Sequence, residues 1–376
     1  MPVSISGTNG VTFPDSSLQA AAASPNVLKN RIINGDFRID QRNAGASVAT
    51  TTTGNIIYTV DRWAYVVSQA SKFTVQQNAG SVTPPSGFTN YLGMVSTSAY
   101  TVTSTDYFQV QQYIEGYNAA DLAWGTASAK TITVSFWVYS SLTGNFGMFI
   151  SNSDASRVYP TNYTINSANT WEQKTITITG DTSGTWLTTN GRGIRLAFLL
   201  GYGSSYVGGG NAWNSGTYYQ PTGCVNLVAN NGATLYITGV QLEQNTTATP
   251  FERRLYNQEL ANCQRYYFKV APGSGGYLTE TAFAISTTGA YGANKFPVTM
   301  RTAPASLEQS GTAGDYRIVR CGAAGSTTCS AVPTFATATV DRAFTSFAVS
   351  SGLSNSSAGA MDAAGANAFL AWSAEL

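Results

Sequence analysis

The chain contains no histidine. That single absence removes Ser-His-Asp and Cys-His catalysis, His-ligated metals and imidazole general bases, since imidazole is the ordinary proton carrier near neutral pH. Charge is scarce as well: 10% of the 376 residues are charged and the formal net charge is +1, where roughly a quarter is usual. Such a balance offers no long-range field to a polyanion, so nucleic acid and acidic lipid have no electrostatic footprint here. No apolar run approaches the ~18 residues of a membrane helix, and no charged segment leads into an apolar one as in a secretory signal. The expectation is a protein made in a cytoplasm, without membrane insertion. The four cysteines, Cys224, Cys263, Cys321 and Cys329, lack C-x-x-C spacing, which argues against zinc. In a reducing compartment Cys321 and Cys329 are expected as free thiols, although CGAAGSTTC would allow a hairpin bridge.

What the chain does have is Gly, Ser, Thr, Asn and aromatic residues, the surface of a β-protein that faces water with few charges. From residue 30 to 249, runs such as RIINGDFRID, YTVDRWAYVV, DYFQVQQYIE, KTITVSFWVYS, GIRLAFLLG and ATLYITGVQLE are separated by Gly, Asn, Ser and Pro clusters. In KTITVSFWVYS, Ile132, Val134, Phe136 and Val138 face one way, and Thr133, Ser135, Trp137 and Tyr139 the other. About ten short strands without helical periodicity predict a mainly β chain built on a jelly-roll-type antiparallel β-sandwich. Residues 271–376, set off by PGSGG, read as a second, smaller C-terminal β-sandwich. Residues 1–29, poor in charge and apolar anchors, read as a tail or as an attachment segment that orders on a partner.

One stretch breaks the pattern. Over residues 250–270, Tyr256, Leu260, Cys263, Tyr267 and Val270 recur at helical spacing, with Glu252 near the start and Lys269 near the end. The spacing predicts a connector helix. Its seam either packs on its own subunit or joins subunits as a parallel three-helix bundle, and its place between two β-units favours the second, with Tyr256, Leu260, Cys263 and Tyr267 at a trimer interface.

Candidate chemistry is thin. The carboxylates Asp106, Glu115, Asp121, Asp154, Glu172 and Asp181 are scattered singly, whereas glycoside hydrolysis needs a facing pair. The Gly-rich stretch from Gly191 lacks the Lys of a phosphate-binding loop. It does carry Tyr202, Tyr206, Trp213, Tyr218 and Tyr219 among Gly, Asn and Ser. Flat rings beside amides suit sugar recognition, and the alternative is that they pin the loop or a subunit contact. Trp63, Trp137 and Trp171 read as sandwich aromatics, and Asp61 with Arg62 as a local ion pair.

Two resemblances follow from ordered motifs. The N-G-D-F at Asn34 to Phe37 and the last strand ITGVQLE resemble jelly-roll carbohydrate-binding modules. Those modules often hold a structural calcium, but here Arg38 follows the Phe, and Thr238 and Gly239 occupy the last-strand region, which puts the ion in doubt. The series GVTFPDSSLQ, INGDFRIDQRNAG, DRW, GVQLEQNTTATPFERR, ELANCQRYYFKV and FPVTMRTAP is similar to tailed-bacteriophage tail-fibre and receptor-binding proteins. That resemblance implies a virion tail protein acting as a homotrimer. Its N-terminus would attach to baseplate or tail proteins, and its distal β-domains would meet a host surface glycan. The expected function is adhesion without catalysis and without a cofactor. The alternatives are a structural collar or baseplate component and a polysaccharide-degrading enzyme.

Overall fold

Alternation of apolar and polar residues along the runs between residues 48 and 243 builds two six-stranded antiparallel sheets in the computed structural model. The structure describes residues 29–320 and 325–376 and, before them, only the backbone of three short paired strands, Ser4–Ser6, Gly10–Thr12 and Leu18–Gln19. The attachment role expected for residues 1–29, and Cys321, lie otherwise outside the described residues.

Edge to edge, one sheet runs Glu172–Ile178, Ile132–Ser140, Thr234–Glu243, Leu92–Ser96, Phe73–Gln77 and Val48–Ala49. The other runs Val158–Ile165, Gly144–Ser151, Arg192–Tyr202, Tyr107–Glu115, Ala64–Val67 and Ile57–Tyr58. Their facing residues form one core, to which Ile132, Val134, Phe136 and Val138 contribute together, as the alternation predicts. The fold is the expected mainly β, jelly-roll-type sandwich. Trp63 is buried in that core, while Trp171 packs outside it against Tyr91 and Tyr139.

The smaller unit pairs a seven-stranded sheet with a three-stranded one, around a core that includes Phe296, Tyr316, Phe347, Met361 and Trp372. Its strand Tyr267–Val270 pairs with Leu370–Ser373 near the end of the chain. The helix between the units is shorter than the periodicity predicts. It spans Tyr256–Gln264, and residues 250–255 lie outside it, with Leu255 extended at φ −60° and ψ 148°. Tyr267, assigned by spacing to the helix, stands on the first strand of the second unit because its backbone is drawn into that pairing.

The helix packs on the N-G-D-F segment, which is a turn rather than the strand its apolar residues suggest. Asn34 and Phe37 have left-handed backbones, with φ of 57° and 55°. The Asn34 side chain stabilises this by donating to Ile39 O (2.8 Å) and Asp61 O (3.0 Å) and accepting from Ile39 N (3.0 Å). Gly35 is required by close approach, since a Cβ there would lie 2.1 Å from Val240 O. Trp63 Nε1 donates to Asn34 O at 3.1 Å, and the Glu259 carboxylate of the helix accepts from Asn34 N.

Asp61 and Arg62 do not pair with each other, contrary to the local ion pair expected. Asp61 accepts from Gln41 N (2.6 Å) and Gln41 Nε2 (2.8 Å). Arg62, left-handed at φ 71°, sends its guanidinium the other way, to the Glu375 carboxylate and to Tyr113 O (2.6 Å), over the Tyr266 ring. The left-handed turn at Arg62 carries its side chain away from that of Asp61, so the two neighbours do not pair. The last residues are thereby buried between the units: Arg301 donates to Ala374 O and Glu375 O, both at 2.7 Å, and Tyr58 to Leu376 O at 2.8 Å.

Candidate functional site

The aromatic loop is held inward. Residues 203–225 leave the strand Arg192–Tyr202 and cover the face of its sheet that points away from the core, where Phe149, Ala197 and Leu199 would otherwise meet water. Tyr202 is buried, with its hydroxyl donating to Gln109, and Tyr206 and Tyr219 pack against its ring. Trp213 goes elsewhere, edge-on to Trp124, Trp186 and Tyr159, with Nε1 donating to Thr179 O at 2.8 Å. Of the five rings only Tyr218 is exposed, and it lies against Gly208, where a Cβ would be 2.7 Å from its ring. The five therefore do not assemble one flat platform. The hydrophobic content of GIRLAFLLG is that of a strand covered on both faces, and the loop supplies the second cover.

The helix seam also faces its own chain. Cys263 is fully buried with Ile33, Ile39, Tyr113, Tyr266 and Leu376, and Leu260 packs half-buried on the same cluster. Tyr267 is buried too, donating from its hydroxyl to Glu308 at 3.0 Å beneath the Arg42 guanidinium. Only Tyr256 of the four, beside Leu255, is exposed. This corrects the expected intersubunit seam at Cys263 and Tyr267, which are buried within one chain. Two buried faces have the same period whether the partner is a second helix or a domain junction, and here the junction covers it.

A cleft of about 530 Å³ opens where the strand Tyr107–Glu115 ends and the segment leading into the helix passes, lined in part by Arg31, Tyr117, Asn118, Asp121, Arg254 and Asn262. That volume is in the range of small-ligand sites. Gly116 sets its wall: a Cβ there would lie 2.4 Å from Leu187 O, so only glycine lets the turn press close enough for Tyr117 N to donate to Thr189 O at 2.9 Å. The turn leaves Tyr117 61% exposed. Arg31, largely buried, grips the Asp121 carboxylate through both terminal nitrogens, each at 2.5 Å, and donates to Asn118 O at 2.7 Å. Those bonds, ahead of opposing burial, hold the Asp121 carboxyl below its ordinary range. Arg254 is fixed across the cleft by Glu259 (3.1 Å), Ile32 O (3.2 Å) and Asn30 O.

Within the described residues the Asn118 amide and the Asn262 Oδ1 engage nothing in the chain, and the Asp121 side chain remains 53% exposed. The cleft thus presents one aromatic face, a fixed carboxylate and amides. Sequence reasoning missed it because Arg31 and Asp121 stand 90 residues apart. The one available signal was Tyr117 itself, an aromatic set between Gly and Asn at a strand end.

The other scattered carboxylates each have donors of their own. Asp106 accepts from Ser68, Tyr100 and Thr103, which against the effect of burial bring its pKa to about 2. Glu115 is bound by Arg265 and Tyr266, Asp154 by Ser156, Glu172 by Lys174 and Asp181 by Arg157. At the N-G-D-F turn, where the resemblance implies calcium, the residues do not fit a metal ion. Arg38 takes the Asp36 carboxylate at 2.6 Å, Thr238 donates to Asn90 O, and the Phe88 ring lies against Gly239.

The chain matches no protein-family profile, and no curated protein is detectably similar in sequence. Similar solved structures include the enzymatically active domain of bacteriophage CBA120 tailspike protein 4, at 11% identity and a TM-score of 0.32, covering 57% of this chain. The match spans only 21% of that tailspike chain. The family 11 carbohydrate-binding module of Clostridium thermocellum is similar at 11% identity and a TM-score of 0.28, over 54% of this chain and 98% of the module. The N-terminal cellulose-binding domain of Cellulomonas fimi β-1,4-glucanase C is similar at 14% identity and a TM-score of 0.25, over 60% of this chain and 100% of that domain.

Proposed function

We propose that the protein is a non-catalytic glycan-binding adhesin of a bacteriophage tail, holding the virion to host cell-surface polysaccharide. The observation that carries the reading is the cleft at Tyr117. A pyranose has an apolar face of C–H bonds and a rim of hydroxyls; the exposed ring of Tyr117 matches the first, and Asp121, Asn118 and Asn262 match the second. Nothing in this arrangement requires a bond to break. The cleft is open, and an open site that stacks one ring and accepts a few hydrogen bonds binds weakly, so firm attachment comes from several copies engaging at once.

In this reading residues 1–29 join the chain to baseplate or tail proteins and the copies act as a homotrimer, as the ordered motifs imply by resemblance. The trimer contact then uses surface other than Cys263 and Tyr267, which are buried within one chain. The reading is tested by binding the purified protein to host cells and competing with host surface polysaccharide. Saturable binding that the polysaccharide displaces is expected, and its absence would overturn the proposal.

A further inference from the structure

We propose that the cleft takes an internal stretch of a neutral polysaccharide chain and discriminates against uronate, sulfate or phosphate groups; this rests on the glycan-binding reading above. The first ground is charge. Two guanidiniums lie in the cleft, yet both are neutralised within the chain, Arg31 by Asp121 and Arg254 by Glu259. Both terminal nitrogens of each are already donating, and the Nε atoms of Arg31 and Arg254 are buried beyond reach of solvent. What faces a ligand is the Asp121 carboxylate and the Asn262 Oδ1, both acceptors, beside the neutral Asn118 amide. A sugar hydroxyl donates to these, whereas an anion would meet a like charge with no unpaired cation among the described lining residues to offset it. The carboxylate remains in this role into acid, because Arg31 stabilises its ionised form.

The second ground is shape. Ala120 lines the cleft and also a shallow depression beside it, bounded by Trp124, Trp186 and Leu187. Trp186 is partly exposed and Leu187 is 38% exposed. A chain whose one ring stacks on Tyr117 can therefore run over Ala120 toward a second aromatic face. A terminal sugar would use only the first.

The experiment is binding of the full chain to an array of bacterial oligosaccharides, neutral and acidic, in lengths from one to about eight sugars. Hits are expected among neutral glycans, with affinity rising with length. Tyr117→Ala, and separately Asp121→Asn, is expected to weaken every hit by about tenfold or more, the usual effect of losing a ring platform or a charged acceptor. Trp186→Ala is expected to remove the gain with length and to leave the shortest binders unchanged. Thermal midpoints of the variants show that each is folded. Hits that are mainly acidic but still depend on Tyr117 would overturn the neutral-ligand assignment while leaving glycan binding intact. Affinity independent of length would overturn the internal-stretch assignment. Absence of any hit would overturn both this inference and the reading beneath it.

Discussion

Asp61 is the residue through which the junction reports pH. Burial, against the opposing charge of Arg42 and two hydrogen bonds from Gln41, pushes its pKa up to about 7 from an ordinary 3.8. The folded state therefore keeps a proton that the unfolded chain releases, and stability falls as pH rises from 3.8 toward about 7. Asp61→Asn keeps an acceptor for Gln41 N and removes the titration. Urea midpoints of the two proteins measured from about pH 4 to about pH 7 are expected to diverge, with the wild type losing ground as pH rises; a constant difference would contradict this. Asp106 acts in the opposite sense. With its pKa brought to about 2 by Thr103, Tyr100 and Ser68, it stabilises the fold above 3.8 and loses that contribution as pH falls toward about 2. The sequence made Trp63 legible as a core aromatic, because a large ring beside a β-run has few other places to go. It could not make the partner of Arg62 legible, since Glu375 lies 313 residues away.

The strands were legible because period-two alternation is caused directly by burial on one face, as Ile132 to Val138 illustrate. The helix and the aromatic loop were legible as elements but not in what they touch. A seam at helical spacing shows that one face is buried and is silent about the partner. Since Leu260 packs on Cys263 and Tyr266 of its own chain, Leu260→Asp is expected to lower stability by about 2 kcal/mol with no change in molecular mass. Loss of oligomers without loss of monomer stability would restore the intersubunit seam. In the loop, Trp213 is one of four interlocked rings with Trp124, Trp186 and Tyr159. Trp213→Ala is expected to cost about 2 kcal/mol, less than for a fully buried tryptophan because the ring is partly exposed, and to increase proteolytic cleavage within residues 203–225.

At the scale of the molecule, the two β-units are fastened by buried charge around a small apolar cluster that includes Ile33, Cys263, Tyr266 and Leu376. Arg62 and Arg42 both reach Glu375, Arg265 reaches Glu115, and Arg301 holds the backbone of the last residues. Such pairs contribute little compared with apolar packing, but removing one partner leaves a desolvated charge behind. Glu375→Ala is accordingly expected to destabilise the protein by about 3–5 kcal/mol, read as a lower urea midpoint. The fold class followed from the sequence because it depends on local pattern. The junction and the cleft did not, because each is assembled from residues brought together only by the completed sandwich, as Arg31, Tyr117 and Arg254 show. The most direct measurement for the central claim is equilibrium binding of host surface polysaccharide to the intact protein and to Tyr117→Ala, with the length of the polymer checked afterwards. Saturable binding, weakened about tenfold or more by the substitution and leaving the polymer intact, is the predicted result. Unchanged binding by Tyr117→Ala, or a polymer shortened by the protein, would contradict it.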